Sequence, residues 1–144
     1  MSVLAIAELL GGSKLLKKKI GNSADLVELT RKGLPAEILP VLATGFSVDR
    51  KAVAQAVGIP ERTLSRRLSS GSLLSMVESD RTVRLARILA LATETLGDIA
   101  KASRWLQTPN RALDGQAPFH LLDTDAGVQS VETILGRIAY GVYS

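Results

Sequence analysis

An all-α fold is the class this sequence predicts, and three observations predict it. Apolar residues recur at three- and four-residue steps through most of the chain. Aromatic residues make up only 3% of it, and no segment shows the β-branched alternation of a half-buried strand. Glycines and N-capping side chains punctuate the apolar runs at helical intervals. With 144 residues, 46% of them hydrophobic, the chain is long enough to bury a real core and too apolar to stay disordered. The predicted architecture is a helical N-terminal lobe over residues 1–72, containing a helix-turn-helix, followed by a helical C-terminal domain over residues 73–144.

The elements follow in order. Ser13 to Ile20 is a short basic stretch that Gly21 stops. Ser23 is the expected N-cap of a helix carrying Leu26, Val27 and Leu29, with Gly33 past its end. Pro35 fits the first turn of the next helix, through Ile38, Leu39 and Leu42 to about Gly45, and Pro40 inside it predicts a kink or an early break. A compact unit runs from Asp49 to Gly71, and Ser72 to Ser79 reads as a connector. A long helix is expected from about Asp80 to Leu96, ended by Gly97, with Asp98 capping a further helix through Leu106. Pro109-Asn110 and Asp114-Gly115 mark turns, and Pro118 opens a short turn through Leu122. The last helix begins after Thr124 and runs to about Tyr140 on Val128, Val131, Ile134, Leu135 and Ile138.

Composition excludes several function classes. There is no cysteine, so a disulfide scaffold and a thiolate metal site are ruled out, and a reducing cytoplasm is the expected location. The single histidine, His120, rules out a His-rich metal site. No segment offers the roughly 18 to 20 continuous apolar residues of a membrane helix. The apolar stretch Val3 to Leu10 precedes its lysines, the reverse of a signal peptide. Charge is uneven. Residues 1–72 hold 11 basic and six acidic side chains, whereas residues 73–144 hold seven basic and eight acidic. A basic first half suggests a nucleic-acid-facing part.

Residues 49–68 carry that suggestion. A short helix from Asp49 ends at Gly58. Ile59-Pro60 leads into a second helix, Glu61 to Leu68, with Pro60 in its first turn. Val53, Val57, Ile59, Leu64 and Leu68 are expected to clamp the pair, with the small Ala54 letting them cross closely. This leaves Arg62, Thr63, Ser65, Arg66 and Ser69 on the outer side of the second helix, the one that enters the major groove in a helix-turn-helix. Arg67 stands where many such motifs place an apolar residue. It joins Arg62, Thr63, Ser65 and Arg66 as a candidate DNA-binding residue, because Arg reads guanine edges and Ser, Thr and Arg grip phosphates. The alternative for the same residues is a plain helical hairpin with solvated arginines.

The second half is more specific. Ser79-Asp80-Arg81, Arg84-Leu85-Ala86-Arg87-Ile88, Trp105-Leu106 followed by Pro109-Asn110, Leu121-Leu122-Asp123-Thr124, and Leu135-Gly136-Arg137-Ile138 followed by Tyr140-Gly141-Val142-Tyr143 together resemble the Xre/MbcA/ParS-type antitoxins of RES–Xre toxin–antitoxin modules. The resemblance covers roughly Asp25 to Ser144, and an Xre-like helix-turn-helix precedes the C-terminal domain as residues 49–68 do here. It implies a partner, a RES-domain toxin that degrades NAD, and a role as inhibitor rather than enzyme, without cofactor. The C-terminal part of the fold, here Arg137, Tyr140, Gly141, Val142, Tyr143 and Ser144, would cover the toxin's active-site entrance. It also implies a homodimer, a larger complex with toxin, and repression of operator DNA. The alternative is a stand-alone helix-turn-helix regulator with a C-terminal dimerisation or effector domain. An enzyme built on His120, Asp123 and a serine lacks a nucleophile elbow, a phosphate-binding glycine loop and metal spacing.

Other residues have plainer expectations. Trp105 and His120 read as structural. Ser79-Asp80-Arg81 is expected to cap a helix and fix an internal ion pair. Arg84 and Arg87, three apart, read as a binding pair or a solvated face. The segment before Asp25 stays open between a dimer arm, a DNA-backbone arm and disorder.

Overall fold

The computed structural model describes residues 2–141. Among the described residues there are nine α-helices and two short 3-10 turns, and no strand. The buried apolar side chains form one continuous cluster running through both halves.

The segment before Asp25 is folded. Ser2 caps α1 (Val3–Leu9), accepting from the Ala5 N–H. The helix lays Ile6 and Ala7 on the core, followed by Leu10, and packs against α7. After α2 (Gly12–Leu16), Leu16 and Ile20 are buried while Lys14, Lys17 and Lys19 stay exposed. The apolar run Val3 to Leu10 is therefore an amphipathic helix with a home.

α3 spans Ser23–Lys32, but its cap is Asn22, one residue earlier than expected, whose Oδ1 accepts from the Asp25 N–H at 2.9 Å. Gly33 ends it as expected. α4 starts at Ile38 and runs to Phe46, three residues later than Pro35 suggested. This start puts Pro40 at the third helical position. A first-turn N–H has no intrahelical acceptor, so the proline removes no hydrogen bond and the helix continues through it. α5 (Arg50–Val57) and α6 (Glu61–Ser70) follow.

α7 runs from Met76 to Leu96, beginning four residues before the expected Asp80. The expected connector hides a capping box. Ser75 Oγ accepts from the Glu78 N–H, and the Glu78 carboxylate accepts from the Ser75 N–H, which satisfies two first-turn donors at once. α7 is the central element, packed against α1, α3, α4, α5, α8 and α9. α8 (Ile99–Gln107) starts on the Asp98 cap. The turns at Arg111–Leu113 and Pro118–Leu121 lead to α9 (Asp125–Ala139), capped by Thr124.

Candidate nucleic-acid interface and partner-binding end

α5, α6 and the turn between them form a helix-turn-helix. Val53, Val57 and Leu64 are fully buried and Ile59 nearly so, with Leu68 packed against the same core. Ala54 is buried as the small residue at the crossing. Gly58 ends α5 at φ +90, in the left-handed region. The turn needs glycine for this conformation, and a Cβ there would also lie 2.9 Å from Arg81 Nη1 and push the end of that side chain aside. Pro60 is the N-cap of α6 rather than a residue of its first turn.

The outer side of α6 emerges as expected in part. Arg62, Arg66 and Ser69 are exposed, and Thr63 is half-buried. Ser65 is half-buried, and its Oγ accepts from Arg50 Nη2 at 3.0 Å. Arg67 turns the other way, pairing with Glu78 at the start of α7. That pairing explains why a charged residue tolerates a position where similar motifs hold an apolar one: the guanidinium has a carboxylate. Partial burial pushes the Glu78 carboxyl up, but the Arg67 hydrogen bond, the Ser75 N–H and the Arg67 charge outweigh burial and hold it below its ordinary value.

The spacing alone does not single out Arg50. It also donates to Glu61 at 3.1 Å, so one guanidinium joins the start of α5 to the first turns of α6. The signal lay in the basic pair Arg50-Lys51 after the Asp49 cap. Ser79-Asp80-Arg81 neither caps a helix nor forms an ion pair among its own residues. Ser79 Oγ, fully buried, accepts from the Leu34 N–H at 2.9 Å. Arg81 donates to the Val57 carbonyl at 3.1 Å, closing the end of α5. Asp80 is exposed.

α9 forms the other end. Arg84 pairs with Asp125 at 3.6 Å and Arg87 with Glu132 at 3.2 Å. The two arginines therefore tie α7 to α9 rather than forming a free binding pair. Val128, Val131, Ile134 and Leu135 are buried. Gly127 sits against a backbone, since a Cβ there would lie 1.8 Å from the Leu121 carbonyl oxygen. Beyond this held portion Arg137 is exposed, and Tyr140, which caps the helix, is 86% exposed. Gly141 follows at φ +69. Val142, Tyr143 and Ser144 lie outside the described residues.

Trp105 packs against the core as expected. His120 is exposed, its ring edge-on to Phe119 at 6.4 Å. It lines a cleft of about 450 Å³ with Asp49, Gln55, Gln107 and Asp123. Among the described residues no group of three or more His, Cys, Asp or Glu side chains is placed to hold a metal. No helix among them is long and apolar enough to cross a membrane.

Comparison with known proteins matches both ends. Residues 25–87 match the antitoxin Xre-like helix-turn-helix domain. Residues 91–141 match the antitoxin Xre/MbcA/ParS C-terminal toxin-binding domain. The chain is 30% identical over 137 residues to Antitoxin Xre of Yersinia enterocolitica, covering 92% of this chain and 93% of the relative. It is 31% identical over 117 residues to Antitoxin Xre of Photorhabdus laumondii, covering 81% and 79%. Against Antitoxin Xre of Pseudomonas putida it is 41% identical over 83 residues, covering 58% and 52%. Among solved structures, a chain of the M. tuberculosis MbcT–MbcA toxin–antitoxin complex shares the fold at a TM-score of 0.54 and 20% identity, over 87% of this chain and 100% of that one.

Proposed function

This chain belongs to the Xre antitoxin family, and from that membership we propose that it neutralises a RES-domain, NAD-degrading toxin by closing the toxin's active-site entrance with the end of α9. It represses its own operator through α6, as a homodimer and in a larger complex with the toxin. It acts in the cytoplasm, where NAD and promoter both lie, and its own role is binding rather than catalysis. Residues 1–72 face DNA and residues 73–144 face the toxin, with α7 of the second part packed against helices of both.

The observation that carries the toxin reading is the exposure of Tyr140 at the tip of a helix anchored almost to its end. An inhibitor that blocks a pocket mouth gains most from a projection that is already ordered, because little conformational freedom is lost on docking. Two ion pairs, a buried apolar stripe and the Gly127 contact supply that order. Tyr140 brings a large ring with a polar tip, and Arg137 a guanidinium suited to a carboxylate or to a nucleotide-binding group. Gly141, Val142, Tyr143 and Ser144 extend the same contact. On the DNA side Arg62, Thr63 and Arg66 reach bases and phosphates. Ser65, held by Arg50, and Arg67, held by Glu78, flank them and fix the helix.

Co-expression with the RES-domain partner tests this. The unmodified chain should co-purify with the toxin and keep cellular NAD at its normal level. Arg137→Ala with Tyr140→Ala should weaken the complex, since truncating a buried interface anchor costs about 2 kcal/mol or more, and NAD should fall. Full protection by the double variant removes the α9 end from the inhibitory surface. Failure of the unmodified chain to bind the toxin removes the proposal.

A further inference from the structure

We infer that Lys14, Lys17 and Lys19, with Lys32 at the end of α3, form a shelf that grips backbone phosphates beside the duplex segment read by α6. The inference rests on the DNA-reading role proposed above, and it assigns a task to the N-terminal segment.

The lysines are presented by folded structure. Leu16 and Ile20 are buried and pin the segment on both sides of Lys17 and Lys19. Lys17 caps α2 in the left-handed region at φ 56. Lys14, Lys17, Lys19 and Lys32 are exposed. Lys18 differs: it pairs with Glu28 at 3.1 Å, which leaves it out of the free set. Lys17 and Lys32 line a common groove, and Lys14 and Lys19 are exposed on the same anchored segment as Lys17.

Its position joins it to α6. One groove has Lys17, Lys18 and Lys32 on one wall and Gly71 and Leu73 on the other. Gly71 is the C-cap of α6. Glu37 is the single acidic residue lining that groove. The two walls are locked in register, because the Leu74 N–H donates to the Leu34 carbonyl at 2.7 Å and the Ala36 N–H to the Ser72 carbonyl at 3.2 Å. Exposed hydroxyls continue the polar surface, with Ser69 and Ser70 at the end of α6. A recognition helix lies in a major groove walled by two phosphate strands. A cationic ledge fixed just past the helix's end meets the next phosphates along one wall. Lysines suit this task, since phosphate contacts need charge and reach rather than base-edge geometry.

A duplex from the chain's own promoter, in full length and with flanks trimmed by a few base pairs, tests the inference against three variants. Lys14→Gln/Lys17→Gln/Lys19→Gln removes three of the four shelf cations, those of the N-terminal segment. Lys101→Gln/Arg104→Gln/Arg111→Gln removes the same charge from the exposed surface of the C-terminal half. Arg62→Ala/Arg66→Ala strips the reading surface. The shelf variant should bind about tenfold or more weaker at physiological salt, with a log–log salt slope shallower by about two to three. Trimming should weaken the unmodified chain and leave the shelf variant's affinity unchanged. The charge-matched variant should bind as the unmodified chain does.

Equal losses in the shelf and charge-matched variants would show a net-charge effect and overturn the shelf. So would unchanged binding by the shelf variant, or its losing only toxin binding. If Arg62→Ala/Arg66→Ala binds normally while the shelf variant does not, the α6 reading fails and the shelf stands as the DNA site. No binding by the unmodified chain, alone or with its toxin, overturns both.

Discussion

Two glycines in α9 show how the same residue serves opposite purposes nine positions apart. Gly127 is fixed by the interior, since a Cβ would lie 1.8 Å from the Leu121 oxygen and 2.8 Å from its carbon, both backbone atoms that no rotamer can move. Gly136 has nothing within 4 Å of its Cβ position. Alanine in a helix is ordinarily worth about 1 kcal/mol more than glycine. Gly127→Ala should nonetheless destabilise the chain, because overpacking typically costs about 1–3 kcal/mol and a backbone clash sits at the top of that range. Gly136→Ala should raise stability by up to about 1 kcal/mol. Thermal unfolding of the pair checks both signs, and a shift of about 2–4 °C per kcal/mol is measurable in a chain of this size. Gly136 carries a propensity cost that its own fold does not require, within the portion proposed to meet the toxin. The Gly136→Ala chain, although more stable, should therefore hold the toxin less tightly in a titration.

At the scale of elements, the start of α7 gathers a capping box and an ion pair to α6 within four residues. Ser75 and Glu78 cap the helix, and Glu78 also receives Arg67 from α6. Ser75→Ala should cost about 1 kcal/mol, the usual penalty for losing an N-cap. Glu78 titrates below its ordinary value of 4.5 in the folded chain. Its ionised form thus adds stability that is present above the unfolded value and disappears as pH falls through the lower, folded one. The stability gap between the parent and Glu78→Gln should be open at neutral pH and shrink below about pH 4.5. A gap constant down to pH 3 would place the effect in packing rather than charge. The same helix start marks where the sequence is legible and where it is not. Apolar periodicity and glycine stops locate α5, α6, α8 and α9 closely, because those signals are local. The Ser75-to-Glu78 box also lies in the sequence, but Gly71, Ser72, Ser75 and Ser79 make the stretch read as a linker. The inward turn of Arg67 and the Arg81 bond to Val57 are not legible. Both depend on which residue of a distant helix arrives beside them. The homes of α1 and α2 are hidden for the same reason, since an apolar run does not name its partner.

At the scale of the molecule, the two proposed tasks sit at opposite ends of a single core with α7 running between them. Such an arrangement permits surface changes at one end without disturbing the other, provided each change leaves the core intact. Arg62→Ala/Arg66→Ala touches only exposed side chains. It should weaken operator binding, with a salt slope shallower by about one for each phosphate no longer gripped, while toxin neutralisation stays at the parent level. Deleting the residues after Ile138 removes Tyr140 and the tip but leaves the buried α9 residues Val128, Val131, Ile134 and Leu135 in place. The shortened chain should fold, dimerise and bind its operator, yet fail to protect cells that express the toxin. Helical circular dichroism, operator titration and a growth assay read the three properties separately. Should the shortened chain protect as well as the parent, inhibition resides elsewhere on the C-terminal half, and the tip of α9 is ordinary surface. Should it lose DNA binding while remaining folded, the two ends are coupled through α7, and occupancy by toxin would be expected to alter repression.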